Sequence, residues 1–145
     1  MTLEEYYNSI DLDEIERFIE EGQEENLNLE FKTVNFPNYN KQNKEFDKKN
    51  FSEVISGFGN SNGGIIIWGI KAKNNLKNQD VAQSKKPIEQ ITKFLNTLNR
   101  LEGQAVTPAI SGLIHEKIET TDDIGFIKTY VPASENAPHM ANFSG

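Results

Sequence analysis

The sequence predicts an α+β fold in the order αβαβαββ, and three observations carry that reading. Phe51, Val54, Ile55 and Phe58 fall at i, i+3, i+4 and i+7, one apolar stripe of a helix. A polar turn holding Gly63 and Gly64 follows and feeds Ile65, Ile66, Ile67, Trp68, Gly69 and Ile70, a run apolar enough for a strand covered on both faces. Upstream, residues 27–34 alternate: Leu27, Leu29 and Phe31 point one way, Asn28, Glu30 and Lys32 the other, as in a half-buried strand.

Taken in order, Asp11 is suited to cap a helix running to about Glu21, with Leu12, Ile15, Phe18 and Ile19 as its buried stripe and Gly22 as its stop. The strand over 27–34 comes next. Residues 35–47 read as a long Asn- and Lys-rich loop broken by Pro37. The helix of the Phe51 stripe spans about 48–60, and the buried central strand spans about 64–71. Residues 72–86 read as a second polar loop. Pro87 suits the first turn of a third helix, with Ile88, Ile91, Phe94, Leu95 and Leu98 as its stripe. Two strands, near 109–119 and 125–131, join through the turn residues Thr120 to Asp123. The segment from Pro132 onward reads as a loop cut off before a further element, so a downstream domain is expected beyond this single domain of residues 1–145.

Composition bounds the function. A chain of 145 residues fits one domain. With no Cys, disulfides and thiolate zinc sites are excluded. No apolar run approaches the roughly 20 residues that span a bilayer, and Met1 to Asn8 carry no basic-then-apolar leader. The chain therefore reads as cytoplasmic, with no membrane partner. Its net charge of −7 hides an asymmetry: residues 1–31 carry eleven acids and one base, residues 32–100 twelve bases and five acids, and residues 101–145 two bases and six acids. A basic middle of this kind can mark an interaction face or simply keep polar loops solvated.

Two spaced motifs supply a resemblance. Glu25-Asn-Leu-Asn-Leu-Glu30-Phe31-Lys32, then Phe58-Gly-Asn-Ser-Asn-Gly-Gly64 leading into the apolar strand, resembles the Schlafen-type AlbA-like domain, which reads E-x-x-x-x-E-F-K and F-A-N-x-x-G-G. Val131-Pro132-Ala-Ser134 and Ala137-Pro138-His139 resemble that family's later V-P-x-S and proline segments. The resemblance implies an α+β nucleic-acid-binding module, often the N-terminal part of a bacterial regulator or helicase-like protein, with DNA or RNA as partner. In vertebrate relatives it implies an endoribonuclease acting on structured RNA through a carboxylate cluster and a divalent metal. Glu25 and Glu30 match the first two acids of that cluster. The third normally follows the central strand in G-[VI]-x-D, and here Gly69-Ile70-Lys71-Ala72 places alanine there.

The residues themselves leave several readings open. Lys32 can take a phosphate beside Glu30, or the two can form a surface ion pair worth at most about 1 kcal/mol. Glu25 lies five residues from Glu30, on the opposite face of one continuous strand, so the two acids meet only if the chain turns near Asn26. The turn holding Asn60, Gly63 and Gly64 can be a nest of backbone N–H groups for phosphate or a packing turn. It is not a Walker A loop, because no Lys-Ser or Lys-Thr follows and it enters a strand. Lys71 and Lys73 lie just past the C-terminal end of the central strand, where open α/β sheets hold ligands. Phe36 and Tyr39, interleaved with Lys41, Lys44, Lys48 and Lys49, are candidates to stack on bases. Trp68 reads as core, and His115 and His139 make no metal or catalytic set.

The leading expectation is thus a binding module without catalysis, gripping phosphates through Lys32, Lys48, Lys49, Lys71 and Lys73, with no cofactor. One alternative is a ribonuclease using Glu25 and Glu30 with Mg²⁺ or Mn²⁺. The other is an interaction or homo-oligomerisation domain whose acidic N-terminal helix meets the basic middle of another copy.

Overall fold

The isoleucine run forms a strand, β2 (Gly64–Trp68), and all five of its residues are buried, as an unbroken apolar run requires. A computed structural model describes residues 1–143. Its helices are α1 (Leu3–Ser9), α2 (Leu12–Glu21), α3 (Lys41–Gly59) and α4 (Ile91–Ala105). Its other strands are β1 (Leu29–Lys32), β3 (Ile70–Asn74), β4 (Asp80–Lys85), β5 (Ile88–Glu89), β6 (Val106–Thr107), β7 (Ile114–Thr121), β8 (Ile124–Val131) and β9 (Met140–Ala141). The α+β class holds.

One five-stranded sheet organises the molecule. β1 pairs parallel with β2, and β2 pairs antiparallel with β8. β8 also takes β5 and β7 antiparallel, so the last long strand in sequence sits at the centre and β1 lies at an edge. Alternation along β2 splits the core in two. Ile65 and Ile67 pack with Tyr7, Ile15, Phe18, Leu29 and Phe31 on the face covered by α1 and α2. Ile66 and Trp68 pack with Phe51, Ile55, Phe94 and Leu98 on the face covered by α3 and α4. Each such aromatic or branched side chain contributes about 1.5–3 kcal/mol by leaving water.

Several elements depart from the sequence expectation, each for a local reason. The loop over 35–47 becomes helical at Lys41, because Asn40 and Asn43 form a reciprocal capping box that no apolar period announces. The same device, Thr2 with Glu5, starts α1. The strand over 64–71 divides at Gly69, whose φ of +112° only glycine adopts readily, and β3 leaves the main sheet there. The polar loop over 72–86 is instead an antiparallel hairpin of β3 and β4. Pro87 does not open a helix: Ile88 pairs with Gly125 in the sheet, and α4 starts only after Gln90, at φ +54°. The strand expected from 109 begins at Ile114. Beyond Pro132 the chain turns back, and β9 pairs with β6.

Candidate functional site

The Glu25 to Lys32 segment folds as the sequence allowed but did not require. Asn26 and Leu29 bond each other's backbones, N–H to O, at 3.1 and 3.3 Å. The Asn26 side chain also accepts from the Asn28 N–H at 2.8 Å. This turn carries the exposed Leu27 at its tip and reverses the chain, so Glu25 lies beside β1 and not along it. One Glu25 carboxylate oxygen accepts from the Phe31 N–H at 2.8 Å. The Glu25 N–H donates to the Asp80 carbonyl at 2.8 Å, which ties the segment to β4.

The result is an open groove of about 430 Å³ along the edge strand β1, walled by α3 and by the β3–β4 hairpin. Glu25, Glu30, Lys32, Lys71 and Asp80 all line it. Lys32 Nζ lies 3.4 Å from Glu30 Oε1, each side chain about one-third exposed. Burial pushes the Glu25 carboxyl up to about 7; the Glu30 and Asp80 carboxylates push the same way, and the Phe31 N–H and Lys32 push against them. Ala72, in place of the third acid, packs its methyl toward the core. Asp80, on the neighbouring strand, is the acid that approaches Glu25 instead.

A divalent metal fits this set poorly. Among the described residues no group of three His, Cys, Asp or Glu side chains is arranged to hold a metal ion. Glu25 already spends an oxygen on Phe31, and its burial favours the protonated form that a cation does not bind. No reaction step is therefore assigned to a metal here.

The other expected site residues divide. Lys71 joins the groove; Lys73, two residues on, is exposed on the hairpin outside its lining. Lys48 and Lys49 lie on α3 away from this lining. Lys48 Nζ stands 5.5 Å over the Phe143 ring, and Lys49 pairs with Glu53 at 3.9 Å.

The glycine turn is filled by the chain itself. A Cβ on Gly63, at φ +82°, would lie 2.5 Å from the Val131 carbonyl oxygen, and one on Gly64 would enter the Phe58 ring. The Gly63 N–H already donates to the Phe58 carbonyl at 3.0 Å. Asn60 clips the later segment: it accepts from the His139 N–H at 2.6 Å and donates to the His139 carbonyl at 2.9 Å. These contacts account for the motif as a packing junction between α3, β2 and the residues after β8.

Phe36 and Tyr39 do not face solvent as a platform. Phe36 packs on Phe94 and on Tyr39, with ring centroids 5.1 and 5.6 Å apart. Phe46 takes the exposed position instead: the residue is 58% exposed and lines the groove with Lys32 and Lys71. The signal lay in the spacing 46, 50, 53, 57 on α3, a polar stripe carrying one aromatic. It was legible only once residues 41–47 were read as helix.

Both histidines are structural. His115 Nδ1 is 2.7 Å from Thr129 Oγ1, which also accepts from Trp68 Nε1 at 2.9 Å, and His115 Nε2 is 3.0 Å from Glu102. Burial holds His115 down to about 4, so it is neutral at pH 7. His139 bridges the Pro108 carbonyl and Ser134 Oγ, at 2.5 and 2.6 Å.

No helix among the described residues is long and apolar enough to cross a membrane. Among curated proteins none matches the chain. The solution NMR structure of the N-terminal domain of an ATP-dependent DNA helicase RecG-related protein from Nitrosomonas europaea has a similar fold, with a TM-score of 0.61 at 17% identity over 92% of this chain and 80% of that one. The family model for Schlafen, AlbA_2 matches residues 25–145, nearly the whole length. By that match the chain belongs to the Schlafen AlbA_2 family.

Proposed function

We propose that the chain is a nucleic-acid-binding module that seats a DNA or RNA strand in the groove along β1. The observation that carries this reading is Phe46, an exposed aromatic residue that lines the groove together with Lys32 and Lys71. Lysines there take phosphates, and the ring offers a face on which any base can stack. The hairpin extends the basic surface: residues 70–86 hold five lysines and one acid. Lys73 and Lys77 are exposed on it. A two-stranded ribbon of this kind also fits the width of a duplex major groove. The relation of the Nitrosomonas protein to a DNA helicase agrees with this reading, as does membership of the Schlafen AlbA_2 family.

Fluorescence anisotropy with labelled single-stranded and duplex oligonucleotides tests it. Binding should weaken steeply with added salt. Lys32→Glu and Lys71→Glu should each weaken it by about tenfold, and Phe46→Ala should cost about 1–3 kcal/mol for a single strand. Absence of binding at low ionic strength overturns the proposal.

A further inference from the structure

β7 forms the edge of the five-stranded sheet opposite β1. It pairs with β8 on one side, and among the described residues no backbone hydrogen bond joins residues 114–121 to any other element. In such a strand every second N–H and C=O is directed outward, away from the sheet. The edge at β1 is blunted by its own chain: Glu25 accepts from the Phe31 N–H, and Asn26 and Leu29 bond each other's backbones. β7 has no such cover and runs for eight residues. An open edge of this length is a template for a further strand.

The side chains along the edge select that strand. Lys117 and Glu119 lie on the face covered by α4, where Lys117 Nζ donates to Thr92 Oγ1 at 3.1 Å and stands 2.9 Å from Glu119 Oε1. Their side chains are 32% and 40% exposed. Ile118, between them, points to the opposite face and joins the core of Ile15 and Phe18. Charges on an edge strand resist self-pairing when like charges meet, so the register decides.

Two antiparallel β7 strands related by a two-fold axis must have that axis perpendicular to the sheet and through one residue, because side chains alternate. Centred on Glu116, Lys117 or Glu119, the axis sets two like charges directly opposite each other, which is unfavourable. Centred on Ile118, it sets Lys117 of each copy opposite Glu119 of the other, Ile118 against its counterpart, and Glu116 opposite Thr120. No like charges meet. The irregularity in β7 between Glu119 and Thr121 falls at the end of this stretch. α4 adds apolar surface beside it. Residues 92, 95, 99 and 102 share one flank of the helix, from which Thr92 and Glu102 touch β7 side chains, and Leu95 on that flank is only half-buried.

We infer that two copies of this chain pair antiparallel through β7, centred on Ile118, and join their sheets into one. The pairing uses the edge opposite β1, so the groove stays open in both copies.

Sedimentation equilibrium over a concentration series tests this on the whole chain. The unaltered chain should dimerise. Lys117→Glu and Glu119→Lys, each checked by circular dichroism for an unchanged fold, should each weaken the dimer by about tenfold or more, because each creates two like-charge pairs across the axis. An equimolar mixture of the two variants should dimerise again, since every reversed charge then meets its opposite. The double variant carrying both changes should do the same. Hydrogen exchange on the unaltered chain gives an independent reading: amides within residues 114–121 should gain protection as concentration rises, while those of β1 should not.

An unaltered chain that stays monomeric at every concentration overturns the proposal. So does a dimer that neither single reversal weakens, or a mixture of the two variants that remains monomeric. Exchange at residues 114–121 that is independent of concentration overturns it as well.

Discussion

Glu25 shows how one turn converts a sequence coincidence into a site. Five residues from Glu30, it would face away on a straight strand; the reversal at Asn26 sets it in the same groove. Its carboxyl, at about 7 against an ordinary 4.5, binds a proton more readily in the folded chain than in the unfolded one. Its contribution to stability is therefore fully present below pH 4.5 and lost as pH rises through 7. Protonation also removes a negative charge beside Lys32. Oligonucleotide affinity should accordingly rise as pH falls from 8 to 6, and Glu25→Gln should bind more tightly at pH 8 and flatten the profile. Affinity measured across that range decides it, and a flat profile in the unaltered chain would count against this role. The sequence named Glu25, Glu30, Lys32 and Lys71 through motif and position. It could not name Asp80 or Phe46, because their approach depends on the hairpin and on the early start of α3, both built from polar residues.

At the scale of elements, legibility followed apolar periodicity. The Phe51 stripe, the Ile65 run and the Leu98 stripe each gave their element because burial selects those side chains. The hairpin stayed hidden because it folds apart from the main sheet, with only Ile70 and Ala82 well buried, so its alternation is faint. The glycine turn was legible as a turn but not in its purpose. The structure gives it a packing duty: α3 ends, β2 begins, and the chain after β8 passes against Gly63 at backbone distance. Gly63→Ala must relieve both a positive φ and a contact with the Val131 carbonyl, and it should lower stability by more than about 1 kcal/mol. Chemical denaturation measures that loss. A variant as stable as the parent would show that the segment after β8 yields easily. The positively charged residues of the groove are untouched by this change, so phosphate affinity per folded molecule should persist.

For the whole molecule, the charge asymmetry of the sequence is partly resolved inside one chain. The acidic α2 meets the basic hairpin at Glu16 and Lys85, 2.6 Å apart. The pairing that the oligomer expectation assigned to two copies thus has an internal counterpart. Sheet topology matters more for integrity. β8 takes hydrogen bonds from β2, β5 and β7, so three strands depend on residues 124–131. A chain ended at residue 123 should lack the near-ultraviolet signature of packed Trp68, which loses both its Thr129 partner and its neighbour Ile127. A native-like spectrum from that fragment would contradict the central place given to β8.

That placement of β8 has a consequence for the living cell. During synthesis the isoleucine strand leaves the ribosome some sixty residues ahead of the strand that covers its free side, as the register of Ile65 with Tyr130 shows. Through that interval it offers an open, strongly apolar edge, the kind of surface on which nascent chains aggregate or recruit chaperones. The domain is thus committed to folding late, nearly all at once, when its final long strand arrives.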